Sequence, residues 1–136
     1  MITLEQYFRG RSHTPDQEVA AVELLSCVNP MIDDYRKSTG RDIHINPKTD
    51  SMISGTTEGG FRLPDCAQGA PSSTHKILDG LFAGVDVYDP DNMFDMWIGK
   101  SLLEEYNLYR EHPDHTKTWC HLQTKKPKSG CRTYLP

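Results

Sequence analysis

The sequence predicts an α+β domain in which N-terminal helices pack on a small antiparallel sheet. Three observations predict it. The clearest helical periodicity lies between residues 14 and 40. The strand-like alternations are short and gather mostly in the C-terminal half. Between them runs a stretch with neither period, rich in Gly, Pro, Ser, Thr and Asp. Helices first and strands later argue for segregated layers rather than a crossover-built parallel sheet.

The elements follow in order. "ITLEQYFRGR", residues 2–11, is a short amphipathic opening of one or two helical turns. Thr14 can cap the next helix, Pro15 suits its first position, and Gln17 completes a T-x-x-Q capping box. Val22, Leu25, Cys27 with Val28, Met31 with Ile32, and Tyr35 then recur at helical spacing. Pro30 lacks a backbone donor and predicts a kink or short break, and Gly40 is a stop signal. "RDIHIN", residues 41–46, alternates like a strand with Ile43 and Ile45 on one face. Residues 46–82 carry almost no periodicity, and long loops of this kind tend to carry function. "AGVDVYD", residues 83–89, reads as a buried strand. Residues 89–107 read as two short helices around Gly99, with Met93, Phe94, Trp97, Leu102, Leu103 and Tyr106 inward. "LYRE", "TWCHLQT" and "CRTYLP" read as three more short strands.

Bulk properties bound the function. At 136 residues a single domain over 1–136 is expected. The net charge of −4 without a long run of one sign makes nucleic acid a poor partner. Lys125, Lys126 and Lys128, broken by Pro127, read as a solvated loop. No segment is apolar enough to insert in a membrane, and the opening residues lack a signal-peptide h-region. A chain made in the cytoplasm, and a monomer, is expected. The four cysteines form no C-x-x-C pair, so free thiols are expected and a Cys₄ zinc site is not. Apolar residues make up only 36% of the chain, so a bound metal is one device that could help hold a lean core.

Asp86 is the residue that asks for an explanation, because it interrupts the most strand-like run, V-D-V-Y. In an alternating strand Val85 and Val87 share the core face, and Asp86 faces a cleft or water. In "TWCHLQT", Cys120 and Leu122 take the core face, while Trp119, His121 and Gln123 take the other. If the two strands are neighbours, Asp86 and His121 meet, and His75 from the preceding loop can join them. Two imidazoles and one carboxylate make a three-ligand zinc set that leaves a fourth position for water. The competing readings are plain ones: an exposed histidine, and a sheet-edge charge that blocks aggregation. Cys120 reads as a small core residue. His112 and His115 read as exposed, His44 as non-catalytic, and Trp119 as a cleft wall or a packing residue.

Three motifs carry a resemblance: Ser73-Thr74-His75, Gly84-Val85-Asp86 and Trp119-Cys120-His121. With "ITLEQYF", "VNPMIDDYR" and the closing "PKSGCRTYLP", the chain resembles the zinc D-alanyl-D-alanine peptidase family, in its phage-type members with the hedgehog/D-Ala-D-Ala peptidase fold. The likeness spans most of the chain and is poorest over residues 46–65. It implies zinc as cofactor, held by His75, Asp86 and His121. It implies that Arg62, in "GFRLP", pairs with the carboxylate of a peptide substrate, a task its forked geometry suits, with Ser73 beside it. Two positions depart from the family pattern. The spacer from His75 to Asp86 is longer, as if Ile77-Leu78-Asp79-Gly80 were inserted. Thr118 stands where many members carry the acid that acts as general base. Glu111, and after it Asp114, are the candidates for that role. The function so implied is hydrolysis of D-amino-acid peptide stems of bacterial peptidoglycan, as a carboxypeptidase or endopeptidase of a phage lysis system or virion. A chain without an export signal would reach the wall through a holin-like partner or a particle. The alternative is a non-catalytic wall-binding or phage structural module of the same fold.

Overall fold

The computed structural model describes residues 1–67 and 73–136. Helix α1, Leu4–Phe8, starts on a capping box in which Thr3 and Gln6 satisfy each other's backbone N–H groups. Helix α2, Pro15–Thr39, repeats the device with Thr14 and Gln17 and ends on left-handed Gly40. The helix buries Ala20, Ala21, Leu24, Leu25, Val28, Met31, Ile32 and Tyr35. Val22, expected inward, is 48% exposed, because that stripe runs through Ala21 and Leu25 and a neighbouring residue points about 100° away. The helix also runs through Pro30 without interruption, where a kink or short break was expected. Pro30 lies on the exposed side, as does Ser26, whose carbonyl loses its partner there and can turn to water.

Residues 41–46 do not form the expected strand; only Asn46 pairs, as an isolated bridge to Ser51. Ile43 is buried and Ile45 exposed, so the two do not share a face. The Ile43 N–H donates to the Asp42 side chain at 2.9 Å, a local bond that competes with a ladder. The irregular segment that follows is tied down instead. Asn46 donates to the carbonyls of Ile53 and Gly55. Met52, Ser54 and Gly59 exchange backbone bonds with Tyr88 and Asp86.

The sheet comprises β1 Gly84–Tyr88, β2 Tyr109–Glu111, β3 Trp119–Gln123 and β4 Thr133–Tyr134, in the order β1-β3-β2-β4. β3 pairs antiparallel with both β1 and β2. β4 runs parallel to β2, so the sheet is mixed rather than purely antiparallel. The cause is the long return of residues 124–132, which carries the chain past β3 to the far edge of β2 instead of closing a hairpin. The short helices α3, Met93–Trp97, and α4, Lys100–Glu105, flank Gly99 as expected. Phe94 and Leu103 are fully buried, while Trp97, Leu102 and Tyr106 pack against the core from its margin and Met93 is half-buried. Val85, Val87, Cys120 and Leu122 bury the inner face of the sheet in one cluster with α2, as the alternation predicts. Among the described residues no helix is long and apolar enough to cross a membrane.

Candidate metal centre

The outer face of the sheet carries the chemistry. β1 and β3 place Asp86 directly opposite His121. The β2–β3 register sets Arg110 against Leu122, and one step further Glu111 stands level with His121. β4 sets Tyr134 against Glu111. Asp86, His121, Glu111 and Tyr134 therefore form one row across four strands, at spacings of about 4.8 Å.

His75 arrives from a separate element, the single 3₁₀ turn Thr74–Lys76. Ser73 caps that turn by accepting the His75 N–H, and the Arg62 N–H donates to the His75 carbonyl at 2.8 Å. The longer spacer does not move His75 away. Ile77 and Gly80 both adopt positive φ, and the chain between them and β1 bulges outward with Leu78, Leu81 and Phe82 exposed. Gly84 permits the approach: a Cβ there would lie 2.3 Å from Thr74 Oγ1 and 3.1 Å from His121 Cε1. Gly84→Ala is accordingly expected to destabilise the protein by about 1–3 kcal/mol, which a denaturant melt would measure.

Three ligand atoms converge. His75 Nε2 lies 3.2 Å from Asp86 Oδ1 and 3.2 Å from His121 Nδ1, and His121 Nδ1 lies 2.8 Å from Asp86 Oδ1. All three side chains are buried. The far nitrogens are also committed. The Gly60 carbonyl, 2.8 Å from His75 Nδ1, can only accept. The Gln123 amide nitrogen donates to the Lys125 carbonyl, which turns its Oε1 toward His121 Nε2 at 2.8 Å. Both outer ring nitrogens therefore carry hydrogen, and both inner ones offer lone pairs beside the carboxylate. Three acceptors facing one another repel unless a cation stands among them or one imidazole takes a second proton and donates it to Asp86. The group can hold a metal ion, and its N, N, O donors with backed-up imidazoles are the set that zinc takes.

The titration of the site reflects the same crowding. Burial opposes charge on Asp86, yet the two imidazoles hold its carboxyl well below the usual range. Burial lowers His75; burial also opposes charge on His121, but the hydrogen bond and charge of Asp86, with Gln123 and Glu111, together raise it.

A cleft of about 970 Å³ opens over this row, and Arg62, Ser73, Glu111, Trp119 and Gln123 line it with the three ligands. Arg62 is buried at its floor, its Nε donating to the Glu58 carbonyl and its Nη2 3.4 Å from Asp86. Glu111 is half-buried, and burial together with the Asp86 charge raises its pKa against the pull of His121. Asp114, the second candidate base, is exposed beside His112 and is not among the cleft residues, because the 3₁₀ turn Pro113–His115 carries it off the end of β2. Thr118 is exposed on a smaller cavity of about 420 Å³ next to Trp119. His44, His112 and His115 stay outside the cleft.

Sequence reasoning missed three residues. Gln123 accepts from His121, from the Tyr134 hydroxyl at 2.7 Å and from the Thr74 hydroxyl at 3.2 Å. Its place on the His121 face was readable, but its role was not. Tyr134 and Gly60 leave no signal, since a β4 partner and a carbonyl acceptor are visible only in three dimensions. Gln123→Leu is expected to lower metal affinity about 10- to 100-fold by releasing the His121 ring, read by zinc titration.

Fold and site together define a class: an α+β protein in which two strands and a 3₁₀ turn bring together a buried His-Asp-His cluster that could hold a metal ion. No protein-family model, curated protein or solved structure matches the chain.

Proposed function

We propose that the protein is a zinc-dependent peptidase that hydrolyses D-amino-acid peptide stems of bacterial peptidoglycan, as the motif resemblance implies. The observation that carries the reading is the row itself: a three-ligand cluster on two strands and a turn, with a carboxylate one strand further along in the same cleft. His75, Asp86 and His121 would hold the zinc, which when bound polarises the scissile carbonyl and activates water as a nucleophile.

The remaining steps belong to the chain. Glu111 takes the proton of the attacking water and delivers it to the leaving amine, a task for which a raised carboxylate pKa is suited. Arg62 sets a fixed positive charge at the cleft floor against a substrate carboxylate, with Ser73 beside it. Gln123 keeps His121 in its ligating tautomer. Trp119 forms part of the cleft wall.

The test is release of cleavage products from a synthetic stem peptide by the zinc-loaded protein. The peptidase reading expects turnover that a chelator removes and added zinc restores. One zinc per chain with no cleavage of any stem peptide would leave the wall-binding module instead.

A further inference from the structure

We propose that the loop after β3 is a subsite for an anionic group of the substrate, in which Lys125, Lys126 and Lys128 receive a carboxylate carried by the peptide away from the bond being cut. The peptide nature of the ligand rests on the peptidase reading above. Taken from sequence alone, the three lysines are an ordinary solvated run. The structure puts all three on the wall of the cleft that contains His75, Asp86 and His121.

The loop is held in place. Gln123 donates to the Lys125 carbonyl at 2.7 Å, the Gly130 N–H donates to the Pro127 carbonyl at 3.0 Å, and Cys131 N–H donates to the Ser129 hydroxyl at 3.2 Å. Gln123 is the residue that orients His121, so the basic wall and the metal cluster are fixed to each other through one side chain. Among the described residues no ion pair involves these lysines. The acidic side chains that line the cleft are Asp86 and Glu111, both in the row across the sheet. In a chain of net charge −4, three cations on one wall of a concave site are a local feature, and low-dielectric walls focus such a field into the cleft.

The wall is not uniformly charged. Pro127, Leu135 and Pro136 line the same cleft as the lysines. That mixture suits a short carbon chain bearing one carboxylate better than a polymer charged at every unit. Lysine is a mobile point charge, so the subsite reads charge rather than a fixed bidentate geometry. The expected consequence is a preference for peptides with a free carboxylate in the segment that reaches this wall.

The experiment uses two synthetic stem peptides, L-Ala-γ-D-Glu-L-Lys-D-Ala-D-Ala with the glutamyl α-carboxylate free or amidated. Both are given to the zinc-loaded protein, with kcat/KM and calorimetric Kd as readouts. The free acid is expected to be preferred about fivefold to tenfold at low salt, the preference shrinking as ionic strength rises. Replacing all three lysines by alanine is expected to bring the ratio close to one, and K126E/K128E to reverse it. Equal values for the two peptides on the unmodified protein, or an unchanged ratio in the charge-reversed variant, would overturn the subsite. So would equal competition by inorganic polyphosphate, which would mark generic anion attraction. If neither peptide is cleaved, the peptidase reading fails on its own, and the two Kd values still decide the subsite.

Discussion

Asp86→Asn is expected to lower zinc affinity by about 100- to 1,000-fold and to abolish peptide hydrolysis. The substitution keeps the shape of a buried side chain but removes the one negative charge that draws a cation between two imidazoles. Structural zinc sites with four ligands bind with about 10–16 kcal/mol, so each ligand stands for roughly 2.5–4 kcal/mol, or two to three decades. The effect falls on the metal-free protein as well, because Asp86 also faces Arg62 Nη2 at 3.4 Å. A melt of the metal-free variant therefore accompanies the titration. Retained folding with lost zinc supports coordination. Zinc affinity equal to that of the unmodified protein would remove Asp86 from the site.

Glu111→Gln separates binding from chemistry. Glu111 stands next to His121 in the row but is not one of the three converging ligands. The variant is expected to bind zinc as the parent does and to lose about 10²- to 10⁴-fold in kcat, the usual worth of a positioned acid–base group. The pH dependence has a definite sign. Glu111 must be ionised to accept a proton, and burial raises its pKa above that of an ordinary glutamate. kcat/KM of the parent should therefore rise with pH as Glu111 ionises, and that limb should vanish in the variant. Full activity in Glu111→Gln would pass the role to another group. Asp114 is poorly placed to inherit it, being exposed and off the cleft.

The parts of the fold written in local rules were legible in the sequence. The capping box expected at Thr14 and Gln17 forms, since the two need only a helical turn to meet. The alternation of V-D-V and C-H-L put Val85, Val87, Cys120 and Leu122 in the core and turned Asp86 and His121 to the other face, and the structure pairs them directly. Asp86 and His121 of the candidate cluster were therefore readable once two strands were taken as neighbours. What failed depended on competition between local and distant partners. Ile43 lost a strand to the Asp42 side chain. Pro30 failed to break a helix whose affected side faces solvent. The parallel pairing of β4 has no local signature, because it is set by where a nine-residue return can land. Gly60, Gln123 and Tyr134 belong to the same group: each acts through a partner distant in the chain or through the backbone alone.

The most direct measurement of the central claim is a crystal structure of the protein grown with zinc, read by anomalous scattering at the zinc edge. A single ion is expected within about 2.0–2.2 Å of His75 Nε2, Asp86 Oδ1 and His121 Nδ1. An ion bound by other residues, or none at this cluster at saturating zinc, would contradict the account.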